Sequence, residues 1–506
     1  MSKHLHYDDT NPKSIENFAR QLMGHTFKDI VDGFGDSYDM GKDAFRTAES
    51  RQAYNSKARK GGLGNLVEEL YFGYKANSDS SADFQKAGVE LKVTPYEKTK
   101  KGKLRAGERL VLTMISYTDP VESDFYKSHL WQKCRLILLM YYLRDKSLED
   151  NLEYQIDFVR LFTPPPEDLK IIEDDYNLIT KKIAEGRANE LSESDTMYLG
   201  ACTKGSTAEK STVPQAYYNP SVLARKRAFC YKNSYMTSVL NNYIAKDIAT
   251  YVPFGKLDED DEAIIKDAEE LKNQSFAELV IRKINAYKGM SDVDLCQMFN
   301  VQYDASNKAL WITLAYRMLG IKSNRASEFV KANIAVKAIS LEEKGGIREN
   351  SPLPTFKFKE LAKEGWEEST LFNYLYETKF LYVVFQKVSG MRILKGCQLW
   401  NMPYDLLDGT VKEEWERASK VVRDGVELIR KPNGKVENNL LKSKETKIIH
   451  IRPHSAKSYY VFGDGSTYGS GSIKDADELP DGRFMTKQSF WLNAKFVYSI
   501  LDDNLK

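Results

Sequence analysis

The chain contains few histidines and few cysteines, and neither occurs in a spacing that is typical of a metal site. Its six histidines form no His-Glu-x-x-His or HNH pattern, which disfavours metal catalysis that relies on histidine. Its five cysteines show no Cys-x-x-Cys spacing, and this disfavours a zinc site or a disulfide framework. Such cysteines indicate a reducing compartment, so we expect a cytoplasmic protein.

The chain also lacks a long apolar run and a large net charge. Its longest apolar candidate, residues 136–143, falls far short of the roughly 20 residues that cross a bilayer, and its N-terminus has no apolar signal segment. We therefore expect no membrane association. With 74 basic and 72 acidic residues the net charge is only +2. A nucleic-acid-binding function would need positive residues that are concentrated on one surface.

The length of 506 residues exceeds what one ordinary hydrophobic core accommodates, so two or three domains are expected. Hydrophobic residues make up 42% of the chain, which indicates an ordered globular protein. The acidic stretch at 257–262 is the best candidate for a boundary. It divides the chain into predicted domains at residues 1–256 and 257–506. Strand patterns interleaved with helical patterns predict the α+β class, with a mixed central sheet flanked by helices in each domain.

Carboxylate and amine side chains alternate with apolar residues shortly after Asp83. The alternation at 89–95 predicts a strand whose polar face carries Glu90 and Lys92 side by side, and a turn would return Asp83 to this strand. Two carboxylates with a neighbouring ammonium group are typical of a nuclease metal site. We predict Asp83, Glu90 and the backbone carbonyl of Leu91 as metal ligands. Lys92 is the predicted catalytic amine, and Mg²⁺ is the predicted cofactor because every ligand is a hard oxygen.

A third carboxylate and a second lysine flank this segment. Upstream, apolar residues at helical spacing predict an amphipathic helix with Glu68 and Glu69 beside its apolar stripe. Downstream lies the sequence Ser-His-Leu-Trp-Gln-Lys at 128–133. With the central motif, this combination resembles the MutH-like nucleases. The resemblance implies that Glu69, four residues before a glycine, and Lys133 belong to the catalytic group. The spacing from Gly64 favours Glu68 instead, and a lysine before an apolar run is also an ordinary snorkelling residue.

Further segments resemble the type II restriction endonucleases of this family that cut at GATC, the Sau group. They lie in both halves of the chain, at 189–193, 198–205, 226–229, 235–238, 366–368, 452–454 and 485–491. The resemblance implies an enzyme that binds double-stranded DNA and cuts both strands of GATC ahead of the G. It is expected to be monomeric when free and able to dimerise on DNA, with a cognate DNA methyltransferase in the same system. By resemblance, Lys204, Arg227 and Lys232 lie in loops that contact DNA.

The two halves of the chain resemble each other in three segments that occur in the same order. The aligned pairs are 84–93 with 329–338, 172–176 with 411–415, and 229–232 with 484–487. Such a repeat predicts two tandem MutH-like modules. In the second copy, the counterparts of Asp83, Glu90 and Glu69 are Glu328, Ala335 and Tyr316. We therefore predict a second module that holds another, effector DNA site without cutting it, with Arg452 and Lys487 among its contacts.

Two other functions remain open. A MutH-type mismatch-repair nickase that recognises GATC shares the catalytic motif, but its small single-module form has no second copy. A non-catalytic, methylation-sensing DNA-binding protein fits the second half of the chain. The intact Asp83, Glu90 and Lys92 disfavour that reading for the chain as a whole.

Overall fold

The computed structural model describes residues 6–34, 62–74, 82–99, 101–205, 211–250, 262–307, 309–432 and 435–506. The predicted boundary between residues 256 and 257 lies outside these ranges. Among the residues that the structure describes, no helix is long and apolar enough to cross a membrane. Several sheets, one of them with parallel and antiparallel neighbours in each half, are combined with helices, which confirms the predicted α+β class.

The first half contains nine strands and six α-helices in its described part. The strands are β1 (Glu90–Lys98), β2 (Leu104–Ala106), β3 (Leu110–Met114), β4 (Ile137–Leu143), β5 (Ile156–Phe162), β6 (Leu199–Thr203), β7 (Thr212–Gln215), β8 (Asn219–Arg225) and β9 (Arg227–Tyr231). The helices are α1 (Pro12–Ala19), α2 (Phe27–Val31), α3 (Gly62–Leu66), α4 (His129–Cys134), α5 (Pro166–Ala184) and α6 (Asn233–Val239). Two π-helical turns follow α3 and α6, at Val67–Tyr71 and Leu240–Ile244.

A mixed four-stranded sheet in the order β2-β1-β4-β5 forms the centre of this half. Strand β1 runs parallel to β4, and the other neighbours are antiparallel. Strand β4 is an unbroken apolar run because both of its faces are covered: Ile137, Leu139 and Tyr141 enter one core, whereas Leu138 and Met140 enter another. A second sheet, in the order β3-β9-β6, and the hairpin β7–β8 complete this half.

The second half contains twelve strands and nine α-helices in its described part. The strands are β10 (Ile334–Leu341), β11 (Ser351–Thr355), β12 (Lys379–Val388), β13 (Met391–Trp400), β14 (Leu428–Arg430), β15 (Val436–Asn438), β16 (Ile449–Pro453), β17 (Tyr460–Val461), β18 (Thr467–Tyr468), β19 (Ala476–Glu478), β20 (Phe484–Thr486) and β21 (Gln488–Leu492). The helices are α7 (Phe276–Asn285), α8 (Asp292–Met298), α9 (Leu310–Met318), α10 (Ser327–Ala332), α11 (Phe358–Leu361), α12 (Thr370–Glu377), α13 (Tyr404–Leu406), α14 (Lys412–Asp424) and α15 (Ala494–Ser499).

The sheets of the second half have the same strand directions as those of the first half. Strand β10 runs parallel to β12, which pairs antiparallel with β13, just as β1 runs parallel to β4 and β4 pairs antiparallel with β5. A second sheet, in the order β11-β21-β16, matches β3-β9-β6, with all neighbours antiparallel in both. The residue registers of the two three-stranded sheets also correspond, because Leu199 pairs with Tyr231 as Ile449 pairs with Leu492.

In each half, a buried carboxylate accepts hydrogen bonds from the backbone at the start of a strand, and the two strands have matching positions in their sheets. Asp175 on α5 accepts hydrogen bonds from the N–H groups of residues 197–199, at 2.7, 2.7 and 3.0 Å, just where β6 begins. Glu414 on α14 accepts hydrogen bonds from the N–H groups of residues 447–449, where β16 begins. The two carboxylates stand at aligned positions of the predicted repeat segments.

The third pair of repeat segments is aligned wrongly by the sequence. Residues 484–486 form β20, which belongs to another sheet, whereas the strand in the position of β9 is β21. Lys232 therefore corresponds to Asn493 and not to Lys487. Both residues follow the central strand, and both donate a side-chain hydrogen bond to an equivalent carbonyl, from Lys232 to Thr196 at 2.6 Å and from Asn493 to Thr446 at 3.0 Å.

One hydrophobic core is shared by the two halves. It contains β4 side chains such as Leu139 and Tyr141, the α6 side chains Met236 and Val239, and apolar side chains from β10 and β12 such as Val383. Helix α6 packs against α10 across the junction. Each half also has a core of its own on the opposite face of its central sheet. The halves are therefore joined by a continuous apolar interior.

Candidate active site

A tight turn brings Asp83 back to the first residues of β1. The turn at residues 84–89 includes Gly88 at φ +65°, a left-handed conformation that glycine adopts without strain. The Asp83 carboxylate accepts a hydrogen bond from the N–H of Leu91 at 2.8 Å. Asp83 and Glu90 consequently lie at the same edge of the sheet, as the alternating sequence predicts.

Glu90 lies at the centre of the site and binds two lysines. Its Oε1 atom is 2.6 Å from Nζ of Lys92, and its Oε2 atom is 3.0 Å from Nζ of Lys133. The Glu90 side chain is only 2% exposed, compared with 22% for Lys92. Because a buried carboxylate is costly unless it is paired, the two ammonium groups compensate its charge.

Helix α4 places Lys133 beside Glu90. The helix begins after Ser128, whose Oγ accepts a hydrogen bond from the N–H of Trp131 at 3.1 Å and thereby satisfies one of the free amides of the first turn. Lys133 lies in the last turn and is nearly buried, and its Nζ atom turns toward β1. The lysine after Ser-His is therefore a partner of the carboxylate and does not snorkel to solvent.

Glu68 is a carboxylate that interacts electrostatically with this group, and the predicted role of Glu69 stays a prediction. Burial, followed by the negative charge of Asp83, raises the pKa of Glu68 to about 7, and Lys92 and Glu90 also act on it. Both glutamates lie in a π-helical turn at residues 67–71, and both are partly buried. Such a turn contains one more residue than an α-helical turn, so α-helical spacing does not determine which of the two side chains faces the site. The spacing from the upstream glycine is the signal in the sequence that favours Glu68.

The carboxylates carry more negative charge than the lysines neutralise. Burial, followed by the negative charge of Glu90, raises the pKa of Asp83 to about 6, although the Leu91 N–H and the two lysines oppose the shift. The pKa of Glu68 is raised as well. Carboxylates that resist ionisation in this way gain stability when a cation binds between them.

The donor set suits a divalent cation with a preference for oxygen. The side chains of Asp83, Glu68 and Glu90 and the backbone carbonyl of Leu91 offer hard oxygen ligands, the type that Mg²⁺ prefers. Within the described ranges, however, no three His, Cys, Asp or Glu side chains are arranged closely enough to hold a metal ion. Glu90 is directed at Lys92 and Lys133 in this conformation, so we expect metal binding to release Lys92 from its Oε1 atom.

Comparisons with known proteins agree with this site. A family model for the DNA mismatch repair enzyme MutH matches residues 72–175, a range that includes Asp83, Glu90, Lys92 and Lys133. Over 476 residues, the chain is 34% identical to the type II restriction enzyme Sau3AI of Staphylococcus aureus, and the match covers 89% of this chain and 94% of that enzyme. The chain belongs to the MutH-like type II restriction enzymes.

A second relative matches a smaller part of this restriction enzyme. The DNA mismatch repair protein MutH of Shewanella woodyi is 25% identical over 234 residues, which is 46% of this chain and 93% of that protein. Membership of the restriction-enzyme family makes the chain a site-specific deoxyribonuclease that binds DNA.

Two of the three first-half residues that were predicted to contact DNA, Arg227 and Lys232, are buried. Arg227 is 1% exposed, and its guanidinium donates to the carbonyls of Ala201 and Leu191. Lys232 is 3% exposed and donates to the carbonyl of Thr196. Both cations stabilise the backbone around β6, and this geometry argues against their contact with DNA. Lys204 is half-buried at the end of β6 and remains a candidate.

The two second-half candidates for DNA binding differ in exposure and in hydrogen bonding. Arg452 is exposed at the end of β16, where its guanidinium lies 5.0 Å from the centroid of the Trp491 ring. Lys487 is partly buried, and its Nζ atom donates to the carbonyl of Lys474. Arg452 is therefore better placed than Lys487 to contact a phosphate.

Within the described ranges, the second-half residues that the sequence aligns with the predicted catalytic residues form no comparable site. Ala335 has no carboxylate, and Lys337 donates to the carbonyl of Pro352 at 2.9 Å. Glu328 is directed elsewhere, since it accepts hydrogen bonds from the N–H groups of residues 264 and 265 at about 3 Å. Tyr374 stands five residues after the serine that caps α12, the place that Lys133 has after Ser128.

Proposed function

We propose that this restriction enzyme requires Mg²⁺, recognises double-stranded 5′-GATC-3′ and cuts both strands ahead of the G. The observation that carries the metal requirement is the convergence of Asp83, Glu90 and Lys92 at the start of β1. Metal-assisted hydrolysis of a phosphodiester uses such a combination of carboxylates and a cation. The recognition sequence rests on the resemblance of the chain to the GATC-cutting members of its family. A cognate methyltransferase in the same cytoplasm would protect the host's own sites.

In this proposal the site residues have separate roles. Asp83, Glu90, the Leu91 carbonyl and Glu68 would hold a Mg²⁺ ion, which would supply Lewis-acid stabilisation of the phosphoryl group. Lys92 is released from Glu90 and either stabilises negative charge at the reacting phosphorus or lowers the pKa of the attacking water. Lys133, held in the last turn of α4, keeps Glu90 oriented and is positioned to meet the scissile region.

The test is cleavage of a supercoiled plasmid that contains GATC sites. Linear fragments as final products support a restriction enzyme, whereas open circles as final products would indicate the nickase alternative. Asp83→Asn should abolish cutting while DNA binding persists, because the substitution removes a metal ligand and no phosphate contact. Asp119→Asn is the matched control, since that exposed carboxylate bonds only Ser116 and Thr118 among the described residues. Substantial cutting by the Asp83→Asn protein contradicts the site.

We further propose that the chain consists of two tandem MutH-like modules. The matching directions of β1-β4-β5 and β10-β12-β13, the matching three-stranded sheets, and the equivalent roles of Asp175 and Glu414 support a duplication. The first module carries the chemistry. The second retains the fold, although Ala335 and Tyr374 occupy the positions of catalytic groups.

The proposed role of the second module is to hold a second GATC site and to favour an assembly in which the first module cuts. The protein would be monomeric when free and would pair on DNA. DNA at the second site can do this only by binding more tightly to the active assembly. Binding of DNA at either site must then raise the affinity of the other site by the same factor. A plasmid with two sites should be cut faster than one with a single site, and a short GATC duplex added in trans should accelerate the latter. Arg452→Ala should weaken this stimulation, whereas Arg187→Ala, at a paired surface arginine, should not. Equal rates on both plasmids contradict the effector role.

A further inference from the structure

An arginine next to the catalytic group lies directly over the turn that returns Asp83 to β1. Arg135 follows the last residue of α4, two positions after Lys133. Its guanidinium covers Gly88, so closely that a side-chain carbon at Gly88 would collide with Nη2 and stand 3.2 Å from Cζ. The absence of a side chain at Gly88 is therefore what permits the guanidinium to lie there.

The guanidinium of Arg135 has no acidic partner in the described part of the chain. No residue in the described ranges forms an ion pair or hydrogen bond with its guanidinium, and the residue is exposed. Lys92 and Lys133, by contrast, both bind Glu90. An exposed arginine that no described acidic residue pairs with, beside the proposed catalytic group, has the charge and the planar donor geometry that fit a phosphate.

The position of Arg135 relative to the catalytic strand follows from the sheet. The N–H of Glu90 donates to the carbonyl of Leu136 at 3.0 Å, so the residue that follows Arg135 is hydrogen-bonded to the first residue of β1. The guanidinium, the turn at 84–89 and the carboxylates thus occupy the same edge of the sheet. DNA that places one phosphate at Asp83 and Glu90 brings neighbouring phosphates to this edge.

We propose that Arg135 binds a backbone phosphate of the DNA beside the phosphate that is cut, and thereby positions the duplex over the catalytic group. Gly88 provides the space for its guanidinium. This inference rests on the proposed metal-dependent site. A cation after the last residue of a helix also interacts favourably with the helix dipole, which is a structural role with different consequences. A dipole contact stabilises the fold, whereas a phosphate contact makes binding depend on salt.

The test compares DNA binding in the Asp83→Asn background, without divalent metal, for two short duplexes of equal length. One duplex contains GATC and the other contains the same bases in scrambled order. Each phosphate contact contributes about 0.9 to the slope of log affinity against log salt. Arg135→Ala should therefore reduce the slope by about 0.9. From 50 to 200 mM salt, the ratio of parent to variant affinity should then shrink about 3.5-fold. The loss should be equal on both duplexes, because a phosphate carries no sequence information.

Arg187→Ala is the matched control, since it removes the same surface charge where Glu185 and Glu190 already neutralise it. An unchanged slope for Arg135→Ala, the same change in the control, or a loss confined to the GATC duplex overturns the proposal. A protein that cuts despite Asp83→Asn refutes the proposed site instead, so the two failures can be distinguished.

A double-mutant cycle with Gly88 tests the contact itself. Gly88→Ala displaces the guanidinium and also strains the turn, and it should reduce the salt slope in the parent. In the Arg135→Ala background, Gly88→Ala should leave the slope unchanged, because no guanidinium remains to be displaced. An equal reduction in both backgrounds would show that the turn, and not the arginine, determines the salt dependence, and would overturn the proposed contact.

Discussion

The ion pair between Lys331 and Asp168 joins the two halves, and removing one partner should destabilise the protein strongly. Nζ of Lys331 lies 2.7 Å from Oδ1 of Asp168, and the two side chains are only 5% and 2% exposed. The other oxygen of Asp168 has no hydrogen-bond partner among the described residues. Lys331→Met retains most of the side-chain volume but leaves a buried carboxylate without a cation. Breaking such a pair costs about 3–5 kcal/mol.

The assay is equilibrium unfolding in urea, followed by circular dichroism and tryptophan fluorescence. Asp168→Leu combined with Lys331→Met should recover most of the lost free energy of unfolding, because an apolar pair in a buried site is often as stable as an ion pair. Lys272→Met is the control at an exposed pair with Glu269, where a change of at most about 1 kcal/mol is expected. A loss below about 1 kcal/mol for Lys331→Met, or a double variant no more stable than the single one, would refute the reasoning.

Three further predictions concern the catalytic group and the junction. Lys92→Ala should lower kcat by about 10²-fold or more with little change in metal affinity. Cleavage rates measured across a metal titration give both quantities. An equal loss of kcat and of metal affinity would show that the lysine is only structural. Glu68→Gln should weaken the metal dependence of cleavage more than Glu69→Gln, and the reverse order would restore the sequence-based choice. Burial, followed by the negative charge of Glu193, raises the pKa of Glu377 to about 7. The folded state therefore keeps a proton that the unfolded state loses, and stability falls as the pH rises from about 4.5 to 7. Glu377→Gln should flatten this decline, as thermal unfolding across that pH range can show.

The central motif could be predicted from sequence because it depends on local geometry. Alternation along one strand places Glu90 and Lys92 together, and a short turn returns Asp83. The choice between Glu68 and Glu69 could not be made in the same way, since one additional residue in a helical turn rotates the side chains. A period of 3.6 residues gives no warning of a π-helical turn.

Two of the predicted DNA contacts conflict with the structure because sequence does not reveal the hydrogen-bond partners of these side chains. Arg227 and Lys232 are typical phosphate-binding residue types, but carbonyls from distant segments accept their hydrogen bonds. The proposed repeat could be predicted from sequence where side chains form equivalent hydrogen bonds, as Asp175 and Glu414 do. It was misaligned near Lys487, because similar letters there lie on strands of different sheets.

The apolar core shared by the two halves has a consequence for the synthesis of this enzyme. Side chains from β10 and β12 complete the interior against which β4 and α6 pack. These strands are translated after the whole half that contains the candidate active site. When only the first half has emerged from the ribosome, part of its hydrophobic core is therefore exposed, and the contacts with the second half are missing. Nuclease activity should thus mature late, when the last half of the chain has docked, and incomplete chains should pose little danger to the host chromosome.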